Sequence, residues 1–136
     1  MLSSLLAKAV EERKVLAFDY DDKPRLVEPH AIGTNAKGQL VLRAFQVTGD
    51  SATNATAWKL FTVDKMVNCI VAALTSQAPR PGYKAGDRAM ANIIQELPEV
   101  TEAEGKFQAG FGRLVTDWFD SRTEALDAFR TMKLAA

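Results

Sequence analysis

Between Val15 and Leu74 lie five short runs rich in β-branched and aromatic residues: VLAFDY, RLVEPHAIG, LVLRAFQV, WKLFTVDKM and VNCIVAAL. Spacing this close leaves no room for crossover helices, so the strands must follow one another through tight connections in an antiparallel sheet. DDKP (Asp21–Pro24) is a strong turn, and TNAKGQ is a hairpin connection with Gly38 where positive φ is tolerated. TGDSATNATA is a polar loop before the fourth strand, and a slight break near Asp64 and Lys65 precedes the fifth. Apolar residues fall on both faces of LVLRAFQV, which a flat sheet with one face in water does not require. A helix over residues 3–13, capped by Ser3 or Ser4 with Leu5, Leu6, Ala9 and Val10 on one face, comes first. The pattern predicts an α+β chain whose residues 1–75 form a small, strongly bent five-stranded β-barrel behind one helix.

After residue 75 the character changes. SQAPRPGYKAGDR (Ser76–Arg88) carries two prolines and two glycines and reads as a linker. Asp87 then caps a predicted helix over 87–97, with Met90, Ile93, Ile94 and Leu97 on one stripe. PEVTEAEGK is polar and exposed in this reading, and FGRLVTDWF (Phe111–Phe119) is a further strand. A last helix follows, with Asp120 or Ser121 as cap and Glu124 three or four residues on, as a capping box wants. Residues 76–136 are thus expected to be a linker plus a helix–strand–helix extension. The strand FGRLVTDWF needs an edge to pair with, and a homodimer built partly from it is the expectation.

The 136 residues suit one domain with an appendage, and 17 basic residues balance 17 acidic ones. Any polyanion site must therefore be a local patch. One cysteine excludes an internal disulfide. The start turns charged within its first helix, unlike a signal peptide, and no apolar run has the length of a membrane span. A cytoplasmic protein without membrane contact is expected.

The order helix, ERKVLAFDY, RLVEPHAIG, GQLVLRAFQ, WKLFTVDKM resembles the WYL domain family over roughly residues 4–74. VEPHAIG looks like that family's V-x-P-x motif, and GQLVLRAFQ lies where it has its naming W-Y-L strand. WKLFTVDKM resembles its closing R-x-F-x-x-x-R pattern, with Lys59, Phe61 and Lys65 at the matching positions. The tail PRPGYKAGDRAM is similar to the extension of short stand-alone members. The resemblance implies an Sm/SH3-like barrel and a regulatory, ligand-binding role of a kind found in bacterial transcription regulators and phage defence. The chain departs from the family in reading Leu40-Val41-Leu42 at the naming triplet and lysine at both closing arginines. Lysine keeps the charge but loses the planar fork that grips phosphate. Only one helix fits before Val15, so the helix-turn-helix of many members is not expected.

The candidate site residues follow. His30, the only histidine, stands behind Pro29, whose fixed φ would aim the ring at an anion; the competing reading is a histidine bonded to a turn. Arg43 interrupts an apolar strand on the expected concave side of the barrel and must meet either a ligand anion or a carboxylate such as Glu28 or Asp64. Gln46 can read a base edge or simply end the strand. Lys59, Phe61 and Lys65, at spacings of two and four on one strand, form a basic–aromatic–basic strip, or else a core phenylalanine with lysines at its rim. Arg80, with Tyr83, can fold over the barrel mouth as a lid or belong to a plain linker. No metal-ligand spacing, phosphate-cradling glycine loop or Ser/His/Asp order appears, so neither a cofactor nor catalysis is expected. The adjacent pairs Glu11–Glu12 and Asp21–Asp22 read as solvated. The expected function is a non-enzymatic module binding a nucleotide or short single-stranded nucleic acid on a basic barrel face. The alternative is a protein–protein adaptor acting on a transcription or defence factor.

Overall fold

The computed structural model describes residues 2–49, 58–111 and 113–135. They form two compact units: residues up to Gly82 together with Gly86–Leu97, and Tyr83–Ala85 together with Pro98 onward. Residues 50–57, the heart of the expected polar loop, lie outside the described residues.

The first unit opens with helix α1 (Leu2–Glu11), which buries Leu6, Ala9 and Val10. The helix begins ahead of Ser3 and Ser4, so neither serves as its cap. Strands β1 (Lys14–Tyr20), β2 (Lys23–Thr34), β3 (Leu40–Gly49), β4 (Trp58–Thr62) and β5 (Val67–Thr75) follow, with a 3₁₀ turn at Val63–Lys65 between the last two. All neighbours are antiparallel, in the order β4-β3-β2-β1-β5.

The sheet curls. In a flat sheet β1 and β4 would stand three strand spacings apart, about 14 Å. Instead Phe18 of β1 and Phe61 of β4 meet edge to face with ring centroids 5.0 Å apart. The Thr62 N–H of β4 also donates to the Tyr20 hydroxyl at 3.1 Å. Leu16, Val27, Ile32, Leu42 and Phe61 fill the resulting interior. The expected α+β chain of one helix and antiparallel strands is present, and no β4–β5 ladder closes the ring among the described residues, so the sheet is open and curled.

The expected helix over 87–97 is a strand, β6 (Asn92–Glu96), paired to Ala31–Thr34 of β2. Its apolar residues satisfy a helical period, but the open edge of β2 offers backbone partners that override it. Gly33 makes the pairing possible, because a Cβ there would collide with the Asn92 carbonyl oxygen.

The second unit is a small sheet with one helix. The segment expected to be exposed and polar is a hairpin of β7 (Val100–Ala103) and β8 (Lys106–Phe111), turned by Glu104 and Gly105 at positive φ. The expected strand 111–119 shrinks to β9 (Leu114–Val115), which finds its edge on β8 of the same chain. Helix α2 (Arg122–Ala135) is capped by Ser121, whose Oγ accepts from the Glu124 N–H at 3.1 Å and donates to the Glu124 carboxylate. Ala109, Ala125, Leu126 and Phe129 form the core of this unit with Val100, Phe107 and Phe119.

Candidate functional site

The register of β2 against β3 decides where the candidate residues go. Pro29 pairs with Ala44 and Ala31 with Arg43, so His30 is the extra residue of a β-bulge. The bulge reverses the alternation of β2. Val27 before it and Ile32 after it both reach the interior, opposite Gln46 and Leu42. Glu28 and His30 therefore share the far side of the sheet with Arg43, Phe45 and Trp58. Arg43 does not lie on the concave side, as the sequence suggests, because Leu42 takes that direction.

This far side is covered by the segments that follow β5. Arg80 Nε donates to Glu28 Oε1 at 2.6 Å and its Nη2 to Oε2 at 3.2 Å, a bidentate pair. The same guanidinium lies 4.5 Å from the centre of the Phe45 ring. Gln77 gives its N–H to Glu28 Oε2 at 2.8 Å. His30 joins β2 to this covering segment, and together they form a latch. Its Nδ1 is 2.8 Å from the Glu28 carbonyl oxygen, which can only accept, so Nδ1 carries the proton. Its Nε2 accepts the Arg80 N–H at 2.9 Å, and Trp58 packs edge to face on the ring at 4.7 Å. The histidine is fully buried in a neutral tautomer with both nitrogens engaged. Both ring nitrogens are spent within the chain, as in the competing reading of a satisfied histidine.

Arg43 is likewise satisfied, by neither of the carboxylates weighed from sequence. Its Nε and Nη2 donate to Asp87 at 2.6 and 3.3 Å, and Asp87 Oδ1 also accepts the Ala89 N–H at 2.9 Å. Burial works to raise the Asp87 pKa. The Arg43 hydrogen bonds, the Ala89 N–H and the Arg43 charge together outweigh it and hold the carboxyl below its ordinary value.

The remaining candidates separate. Phe61 is buried in the interior against Phe18 and Tyr20, the core alternative of the strip. Lys59 shares its face at the half-buried end of β4, opposite Ala44. Lys65 does not join them, because β4 ends at Thr62 and Lys65 is exposed on the 3₁₀ turn. Gln46 reaches inward and accepts from Arg25.

Arg25 was not among the sequence candidates. It stands opposite Phe18 on β1 and is only 8% exposed. Its Nη1 donates to Gln46 Oε1 at 3.1 Å and its Nη2 to the Tyr20 carbonyl at 3.2 Å. The rings of Tyr20 and Phe61 lie 5.6 and 5.9 Å from the guanidinium carbon. Its buried Nε has no hydrogen-bond partner, and no carboxylate pairs with it among the described residues. The signal was present in the sequence: Arg25 shares the strand face of Val27, a cation pointing where an apolar side chain belongs.

A groove of about 430 Å³ runs along β1, β2 and β5, lined by Ala17, Phe18, Asp19, Arg25, Leu26 and Ile70 among others. No three His, Cys, Asp or Glu side chains gather as metal ligands among the described residues. No helix is long and apolar enough to cross a membrane there. No protein-family model, curated protein or solved structure matches the chain.

Proposed function

We propose that this chain is a non-enzymatic regulatory module, akin to the stand-alone WYL domains its sequence resembles, that holds a nucleotide or short single-stranded nucleic acid. The curled sheet is read as an incompletely closed Sm/SH3-like barrel, with the 3₁₀ turn leading from β4 into β5. The ligand is assigned to the interior end of the sheet, where Arg25 bonds Gln46 beside Phe61 on the face that Lys59 shares, rather than to the latched far side. One observation carries this reading. Arg25 is the most deeply buried arginine of the first unit; half-buried Arg43 and Arg80 meet carboxylates, while Arg25 meets only neutral acceptors. A buried cation without a countercharge is costly, and an anionic ligand removes that cost.

The test is fluorescence anisotropy of a labelled single-stranded oligonucleotide at low and high salt. Binding that weakens with salt, disappears in Arg25→Ala and persists in Arg43→Ala is the expected result. Binding abolished by Arg43→Ala and untouched by Arg25→Ala would return the site to the far side.

A second reading, docking of a protein or of another copy of this chain, is favoured by β5. This edge strand has no charged residue and no proline, and it exposes Val67, Ile70, Val71 and Leu74. Light scattering of the wild type against Ile70→Lys decides it: a dimer that becomes a monomer supports this reading, and a monomer in both cases removes the homodimer. A cytoplasmic setting, as the sequence suggests, belongs with either reading.

A further inference from the structure

Resting on the ligand-binding reading above, we infer that Arg25 anchors a terminal phosphate monoester, so that the ligand is a nucleoside monophosphate or a strand with a phosphorylated end. The guanidinium carries five N–H groups, and the structure gives it two hydrogen bonds, both to neutral oxygens. Nε faces no acceptor at all. The Tyr20 and Phe61 rings attract the charge through their faces but cannot accept a directed hydrogen bond as an oxyanion does.

Depth selects the kind of phosphate. An internal phosphodiester carries a nucleoside on each side and runs along a surface, whereas Arg25 is nine-tenths buried between two rings. Only the end of a chain can reach it. A monoester brings nearly two negative charges and three acceptor oxygens near neutral pH. To enter, it displaces the Gln46 amide from Nη1, exchanging a neutral acceptor for a charged one.

The experiment compares one short labelled oligonucleotide with a 5′-phosphate, with a 3′-phosphate and with neither, on the full chain. In parallel, the arginine Nε–H signals are followed by NMR as inorganic phosphate, adenosine monophosphate, adenosine triphosphate or adenosine is added. One phosphorylated end is expected to bind at least about tenfold more tightly than the unphosphorylated strand. The Arg25 Nε–H signal should shift with phosphate and the monophosphate but not with adenosine. Arg25→Lys, which keeps the charge and loses the fork, should remove the preference, and Arg43→Lys should keep it. Equal binding of all three oligonucleotides in a salt-dependent manner overturns the terminal-phosphate assignment and leaves the ligand-binding reading standing. Absence of any binding overturns both. If Arg25→Lys does not fold, the wild-type Nε–H shift still decides: an unmoved signal rejects the anchor.

Discussion

The far side of β2–β3–β4 and the interior end of the same sheet solve the burial of charge in opposite ways. On the far side Glu28 is met by Arg80 and Gln77, Arg43 by Asp87, and His30 spends both nitrogens on the backbone. At the interior end Arg25 has an amide, a carbonyl and two rings. The two regions lie on one sheet only a few residues apart in sequence, so neither folding history nor composition distinguishes them. What differs is the source of the partners. The far side is completed by Gln77, Arg80 and Asp87, which this chain carries itself. The interior end has no such covering carboxylate among the described residues. A region that closes its own charges is built to stay shut, whereas Arg25 keeps its charge among neutral groups, the contrast on which the ligand-binding proposal rests.

The largest expected effect comes from opening the closed side. Glu28→Ala leaves the Arg80 guanidinium and the Gln77 N–H without their acceptor under Phe45 and Trp58. The loss should be about 3–5 kcal/mol, as for breaking other buried pairs at one partner. That is a large part of a small domain's stability. Urea unfolding followed by circular dichroism measures it. A loss below about 1 kcal/mol would mean that the latch is a solvated surface pair, and the contrast between the two regions would collapse.

How much of this the sequence carries can be argued residue by residue. Strands β1 to β5 follow from local pattern, because alternation and turn chemistry are short-range properties, and Ser121 with Glu124 marks the second helix for the same reason. Met90, Ile93, Ile94 and Leu97 mislead because their spacing suits a helix equally well. Only the free edge of β2 and the missing side chain at Gly33 decide for a strand, and both are tertiary facts. The Glu104–Gly105 turn was legible and overlooked, since a polar stretch around a short hairpin looks like a loop. The site fails in a more instructive way. His30 sits on a bulge, and a bulge is a property of register between two strands, invisible in either alone. Arg43 finds Asp87 across 44 positions of sequence, so its partner cannot be read from neighbours. Arg25 was visible as a cation on the Val27 face. Its lack of a carboxylate partner is something only the fold can show.

A smaller effect should appear at the Arg43–Asp87 pair, which is less deeply buried than the latch. The Asp87 pKa is lowered in the folded protein, so the unfolded chain binds its proton more readily as the solution is acidified. The pair's contribution is therefore fully present above the ordinary aspartate pKa. It is lost as pH falls through that value and on through the lower folded one. Asp87→Asn should cost about 1 kcal/mol at neutral pH, and the difference from wild type should shrink toward acid. Unfolding curves from neutral pH down into that window check this. A difference that stays constant with pH would assign the loss to the Ala89 N–H contact and not to the ion pair.

The smallest expected effect is the most telling. Arg25→Met replaces a buried, uncompensated cation with a flexible apolar side chain of similar length, placed among Phe18, Tyr20 and Phe61. It forgoes two hydrogen bonds to neutral groups and gains relief from burying the charge. The balance should lie within about 1 kcal/mol of zero and lean toward stabilisation, whereas Arg80→Met on the closed side strands the Glu28 carboxylate and must destabilise. The pair of variants thus sets two arginines at opposite faces of one sheet against each other, with opposite signs expected in the same unfolding experiment. If Arg25→Met instead destabilises as much as Arg80→Met, Arg25 is a structural member of the core and its unmatched Nε carries no functional meaning. If it is neutral or stabilising and oligonucleotide binding is lost with it, the cost of keeping a bare cation inside the sheet has its explanation in the ligand.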